Sequence, residues 1–355
     1  MRLPGAALQH ERLVLLLRIV AVAAAVGGAY GGALTHDEAP FAGFAIGALN
    51  GAFIALGIGA MELFVFTGRS RAGRWLLSLP FAAVLVLKTL GYAAIASIVP
   101  AAHLLGVALP LRHTPTDLHT ELLTVGFSLA VTFVFVVVLQ AAGLVGRRTL
   151  ADIVRGRYHQ PRLERRFFLF VDMVGSTAIA ERLGPLESHR MLARVFSAAA
   201  EPIAGNRGEI YQYVGDEIVV TWTQEEGSRS ARPVRSFFDM QAALRERSAE
   251  FRAAFGEVPE LRGALHLGEV VAGEVGEQRR AIVFHGDAVN ATSRLEQAAR
   301  ELGCRFLVSD DALQALGPLG GLRCRDMGEL ALRGRQRPIR AWAVEQADGA
   351  LPDVS

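Results

Sequence analysis

The chain has 355 residues, 51% of them apolar and 20% charged, and carries a net charge of +2. Soluble domains carry about a quarter of their residues as charges, so composition argues against both disorder and a plain cytosolic protein. The near-neutral balance also argues against a general nucleic-acid binder, which needs a basic field. The charges are unevenly shared: residues 1–145 hold 8 of the 37 basic and 6 of the 35 acidic side chains, leaving 29 of each beyond.

Four apolar stretches in the first part, Leu13–Leu34, Phe41–Met61, Trp75–Ile98 and Leu122–Val145, meet the roughly 20 residues that a helix needs to cross a bilayer. Arginines flank one side: Arg2 and Arg12 before the first stretch, Arg69, Arg71 and Arg74 between the second and third, Arg147 and Arg148 after the fourth. The segment between the first two stretches has no Lys or Arg. By the positive-inside rule this predicts four spans in the inner (plasma) membrane, with the N-terminus and everything after residue 145 cytoplasmic. A cleaved signal peptide in place of the first span would put the soluble part outside, against the arginine bias.

Lys88 is the chain's single lysine and falls within the third stretch. An ionisable group at that depth reads either as a polar contact that senses a signal or as a lysine packed against helix-end carbonyls or a neighbouring helix. Glu62 is expected at the cytoplasmic end of the second span, away from that depth. Residues 146–166 contain seven arginines against Asp152 and Glu164. Two roles fit them: anchoring to an anionic leaflet, or a coupling helix that continues the fourth span to about Arg157.

Alternating elements follow. Arg166–Asp172 reads as a strand, Thr177–Gly205 as a helix, and Glu209–Trp222 as a hairpin about a Gly-Asp turn. Val234–Phe255 reads as a second helix, Arg262–Glu269 and Ala281–Phe284 as strands, and Asp287–Leu302 as a third helix. Arg305–Ser309 and Arg337–Glu345 would close the sheet. The expected organisation is a four-helix transmembrane domain (1–145), a basic linker (146–164), an α+β domain of helices on a largely antiparallel sheet (165–345) and a flexible tail (346–355). Cys304 and Cys324 lack metal-ligand spacing and read as buried thiols in a reducing compartment.

Three motifs carry chemistry. In FVDMVGST the strand delivers Asp172 to a loop, and Gly175, Ser176 and Thr177 open a helix whose free N–H groups suit a phosphate. In YVGDEIVV, Gly215 makes the turn from which Asp216 projects. If strands 166–172 and 209–214 are neighbours, the two carboxylates converge, and carboxylates with substrate phosphates are the usual holder of Mg²⁺. In HGDAVNATSRLEQ, Asn290 and Arg294 stand four apart on one helix face, a donor pair suited to a sugar hydroxyl and a phosphate oxygen.

With RGALHLGEVVAGEVG and ELALRGRQRPIRAW, these motifs run in order over Arg165–Val344 and resemble the class III nucleotidyl cyclases, whose membrane-bound members make cyclic AMP from ATP. The resemblance implies a ferredoxin-like, palm-type α+β catalytic domain in which Asp172 and Asp216 bind two Mg²⁺ or Mn²⁺ per site, with the Met173 carbonyl as a further ligand. It also implies that Asn290 orients the ribose, Arg294 stabilises the transferring phosphorus, and Arg333 stands where a family lysine grips the terminal phosphates. The family site forms at a two-fold homodimer interface, one subunit giving the aspartates and the other the asparagine and arginine. Two base-reading positions depart from the pattern: Gln212 replaces the adenine-selecting lysine, and Val283 the usual Asp or Thr. Guanylate cyclases typically carry Glu and Cys there, so neither pattern matches; the Gln212 amide could read adenine by itself, so ATP is the favoured substrate, GTP remains open, and any upstream regulator is unknown. The rivals are a diguanylate cyclase, from whose GGDEF turn VGDEI departs, and a catalytically dead cyclase-like dimerisation module.

Overall fold

The computed structural model describes residues 4–34, 40–62, 71–77, 79–104, 118–146, 152–153, 155–277, 280–332 and 337–346. The chain divides into two compact units, Arg2–Val145 and Gly146–Ser355. The first consists of helices α1 (Pro4–Leu34), α2 (Pro40–Ala60), α3 (Arg71–Leu77), α4 (Phe81–Leu104) and α5 (Leu118–Val145). Leu16–Ala33 and Pro40–Ala60 are long and apolar enough to cross a membrane, whereas Ala82–Ile98 and Val125–Val138 are shorter apolar runs. Glycines let α1 and α2 approach backbone to backbone. A Cβ on Gly47 would lie 2.1 Å from the Gly27 carbonyl oxygen, and one on Gly31 would lie 2.2 Å from that of Gly43. Small residues four apart are the usual seam of such helix pairs.

The third apolar stretch is not one helix. Pro80 separates α3 from α4, as expected of a residue that lacks the N–H a helix interior requires. Lys88 therefore stands two turns into α4, which brings it level with the end of α2. Its Nζ donates to Glu62 Oε1 at 2.6 Å, and the Tyr92 hydroxyl donates to the same oxygen at 2.5 Å. Glu62 is thus the lysine's partner, contrary to its expected depth. The fourth stretch ends at Val145, followed by Gly146 at φ 95°. The expected helical continuation falls largely outside the described residues, and 155–160 form turns and bends.

The second unit is an eight-stranded sheet ordered β2-β3-β1-β4-β6-β8-β7, with β5 paired to β4. The strands are β1 (Arg162–Met173), β2 (Glu209–Val214), β3 (Glu217–Thr223), β4 (Leu261–Val275), β5 (Ala281–His285), β6 (Phe306–Ser309), β7 (Leu322–Leu330) and β8 (Ile339–Gln346). All pairs are antiparallel except β4 with β6. β8 includes Gln346, which the expected tail boundary had excluded; the tail from 347 lies outside the described residues. The helices are α6 (Ser176–Leu183), α7 (Pro185–Gly205), α8 (Gln224–Ser228), α9 (Arg232–Glu246), α10 (Ser248–Phe255), α11 (Asp287–Glu301) and α12 (Asp310–Leu316).

Two expected helices are each broken in two. Gly184, at φ 77°, and Pro185 part α6 from α7, while Arg247 parts α9 from α10. β7 is an additional edge strand. The core lies between the central strands and helices α7, α9 and α10, where Phe167, Met191, Trp222, Phe237 and Phe251 are buried. Arg166 is a charged residue in the buried part of β1, at 1% exposure. It is compensated on every side: Nη1 donates to Glu164 at 2.9 Å, Nη2 to Glu209 at 2.8 Å and Nε to Thr221 at 3.1 Å, and the guanidinium lies 4.7 Å from the Phe284 ring centroid. One charged side chain thereby ties β1 to β2, β3 and β5.

Candidate active site

β1 is buried from Arg166 to Met173 because both faces of this central strand are covered, and its last residues carry Asp172 to the sheet's end. Asp172 is 4% exposed. Its Oδ2 accepts from Arg300 Nη2 at 2.7 Å and lies 3.7 Å from Arg262 Nη1, the cross-strand neighbour on β4. Its Oδ1 is buried without a hydrogen-bond partner. A lone carboxylate oxygen in that state is costly unless something cationic meets it.

Asp216 arrives by register. The neighbour of β1 is β3 rather than β2, with Val171 opposite Ile218. Val214 pairs with Glu217, so Gly215 and Asp216 form a two-residue turn, and Gly215 takes φ 62°, a conformation glycine favours. The strand that the register sets beside β1 is thus β3, the second arm of the hairpin, while β2 lies one strand further out. After β1, Gly175 at φ 71° precedes α6, and no side chain caps the helix. The amides of Ser176 and Thr177 thus open its first turn.

Two further acids crowd this end of the sheet. Burial pushes the Glu217 carboxyl up to about 7, with help from the charges of Glu296, Asp172 and Asp216. Glu296 is likewise pushed up to about 7, by burial first and then by Asp172. Each therefore holds its proton more tightly folded than unfolded. The stability this contributes is complete below about pH 4.5 and is lost as pH rises through about 7. Cation-free protein should accordingly lose thermal stability between pH 5 and 8, read as a falling melting temperature in EDTA, and Glu296→Gln should flatten the slope. Among the described residues no three His, Cys, Asp or Glu side chains form a metal-holding group. Two carboxylates suit an ion that completes its shell with substrate and water.

Asn290 and Arg294 lie on α11, Asn290 exposed and Arg294 half-buried. Gly286 precedes the helix at a close approach, where a Cβ would sit 2.8 Å from the Glu269 carbonyl oxygen. The contacts that α11 makes with Asp172 come from its far end, through Arg300 and Glu296. Asn290 and Arg294 are not brought to the aspartates of their own chain in any contact among the described residues. Gln212 is exposed on β2 and Val283 half-buried on β5. Their neighbours Tyr211 and Phe284 meet edge to face at 5.0 Å, which draws the two strands together. Met173 is buried, and Arg333 lies outside the described residues.

The family described as "Adenylate and Guanylate cyclase catalytic domain" matches residues 160–346, more than half of the chain. The chain belongs to the class III nucleotidyl cyclase family. Its cyclase domain is accompanied by similarity beyond the domain itself. Adenylate cyclase 2 of Rhizobium meliloti (strain 1021) is 35% identical over 307 residues, covering 84% of this chain and 83% of the relative. Guanylate cyclase 2G of Rattus norvegicus is 27% identical over 208 residues, 57% of this chain but 18% of its own length. A bacterial light-regulated adenylyl cyclase superposes with a TM-score of 0.52 at 19% identity, covering 67% of this chain and 72% of that one, and shares the fold.

The acids and bases that sequence reading missed, Glu217, Glu296, Arg262 and Arg300, surround Asp172 in the cyclase fold. One signal was present. Glu296 follows buried Leu295 and precedes buried Ala299 on an amphipathic helix, where an acid on the inward face calls for a partner.

Proposed function

We propose that the protein is a membrane-anchored adenylate cyclase that converts ATP to 3′,5′-cyclic AMP and pyrophosphate in sites shared between two copies of the chain. The observation that carries this reading is the carboxylate pair: Asp172, with one oxygen buried and unpartnered, and Asp216, on the turn that β1–β3 pairing sets beside it. Together with the Met173 carbonyl, this donor set fits Mg²⁺ or Mn²⁺. Two such ions, when bound, supply charge neutralisation for the triphosphate and acidify the ribose 3′-hydroxyl.

The chain's own residues do the rest. Amides at Gly175, Ser176 and Thr177, with the Arg333 guanidinium, donate to phosphate oxygens. Asn290 of the second copy holds the ribose, and its Arg294 meets the charge that develops on the α-phosphoryl oxygens as the 3′-oxygen bonds to phosphorus and pyrophosphate leaves. The absence of contact between Asn290 or Arg294 and Asp172 within one chain supports a shared site. Gln212 can donate to and accept from a purine edge, beside Val283. The similarity to adenylate cyclase 2 favours ATP.

Anchoring through four helices in the lipid bilayer, with the N-terminus and the cyclase domain on the cytoplasmic side, is supported by two span-length apolar helices and by the arginine bias. Lys88, joined to Glu62, is the proposed sensing position within that unit. The test is to supply purified full-length protein with Mn²⁺ and either ATP or GTP and to measure both cyclic nucleotides. Cyclic AMP should predominate and should vanish with Asp172→Ala. Predominant cyclic GMP would make the protein a guanylate cyclase. No product from either nucleotide would leave a cyclase-like dimerisation module.

A further inference from the structure

We propose that Arg300 is the resident counter-cation of the metal-binding carboxylate, and that a dication reaches Asp172 by displacing it. This rests on the reading of Asp172 as a metal ligand. Two arginines face Asp172 Oδ2, Arg300 at 2.7 Å and Arg262 at 3.7 Å. They differ in freedom. The Arg262 side chain is 14% exposed on a central strand, whereas that of Arg300 is 60% exposed on the last turn of α11. Arg300 can therefore turn into water about its own side-chain torsions without opening the core.

Glu296, one helical turn earlier, already lies 3.4 Å from the same Arg300 nitrogen and can keep the guanidinium after it leaves Asp172. Competition follows from charge and space. An ion on Asp172 and a guanidinium hydrogen-bonded to the same carboxylate repel at a separation of a few ångströms. Arg300 thus stabilises the cation-free site and raises the ion concentration needed to fill it.

The test is Mn²⁺ binding to the full-length protein without nucleotide, followed by the electron paramagnetic resonance of free Mn²⁺. Arg300→Gln should tighten binding about three- to tenfold, the scale of one charge-assisted contact with a part-exposed partner. Arg300→Lys, which keeps a cation there, should remain near wild type. Arg305→Gln is the control for general charge, because among the described residues Arg305 pairs with Glu260 and not with Asp172. Unchanged or weaker binding in Arg300→Gln, or equal tightening in Arg305→Gln, would overturn the displacement while leaving the metal assignment intact. Mn²⁺ binding that survives Asp172→Ala, or no saturable binding in wild type and Arg300→Gln alike, would overturn the metal assignment and this inference with it.

Discussion

Asp172→Ala is expected to lower cyclic-nucleotide formation at least about a thousandfold at saturating Mn²⁺ and ATP, because in the proposed function it removes the carboxylate that holds an ion at the end of β1. Among the acids of the described residues, Asp172 has a buried oxygen without a hydrogen-bond partner, open to bonding with a cation. Asp172→Asn is the sharper variant. It keeps the shape and an acceptor for Arg300, so a folded but inactive protein, with an unchanged far-ultraviolet spectrum, separates the lost charge from lost structure. Activity within tenfold of wild type in both variants would remove Asp172 from the mechanism.

The second large effect is expected for Arg294→Ala: a loss of about a hundred- to a thousandfold in kcat, with a smaller change in KM, as for a donor that acts mainly in the transition state. Combining it with Asp172→Ala tests the shared site. Each chain keeps the half that the other lacks, so a mixed dimer contains one intact site and one doubly damaged site. Random pairing of equal amounts makes half the dimers mixed, and co-expression should restore about a quarter of wild-type activity. Were both halves used within one chain, no activity would return from dimers shown by affinity tags to be mixed.

Much of this was legible because the chemistry sits at punctuation. Gly215-Asp216 between two β-rich runs marks a hairpin, and Gly175 after an apolar strand marks a helix start. The errors have physical sources too. Gly184-Pro185 and Pro80 are breakers, overridden in the reading by continuous apolar periodicity on either side. β7 escaped because an edge strand alternates polar and apolar residues with little burial, so LRCRDMGEL resembles a loop. Lys88 and Glu62 lie 26 residues apart, and their pairing depends on where α4 begins, a boundary that hydropathy alone does not define. Arg300 is exposed on a helix like many arginines, and only the path of α11 across the sheet distinguishes it.

The position of β1 in the sheet makes the two aspartates proposed as metal ligands unequal in permanence. Asp172 ends a strand paired on both sides, whereas Asp216 sits on a hairpin whose outer arm, β2, is the sheet's edge. Edge pairings open by local fluctuation and central ones chiefly by global unfolding. Backbone amides around Val171 should therefore exchange with deuterium only as fast as the domain unfolds, while those of Tyr213 and Val214 exchange sooner. The site is half permanent and half intermittent, and an ion bridging the two aspartates would lend the hairpin the lifetime of the central strand.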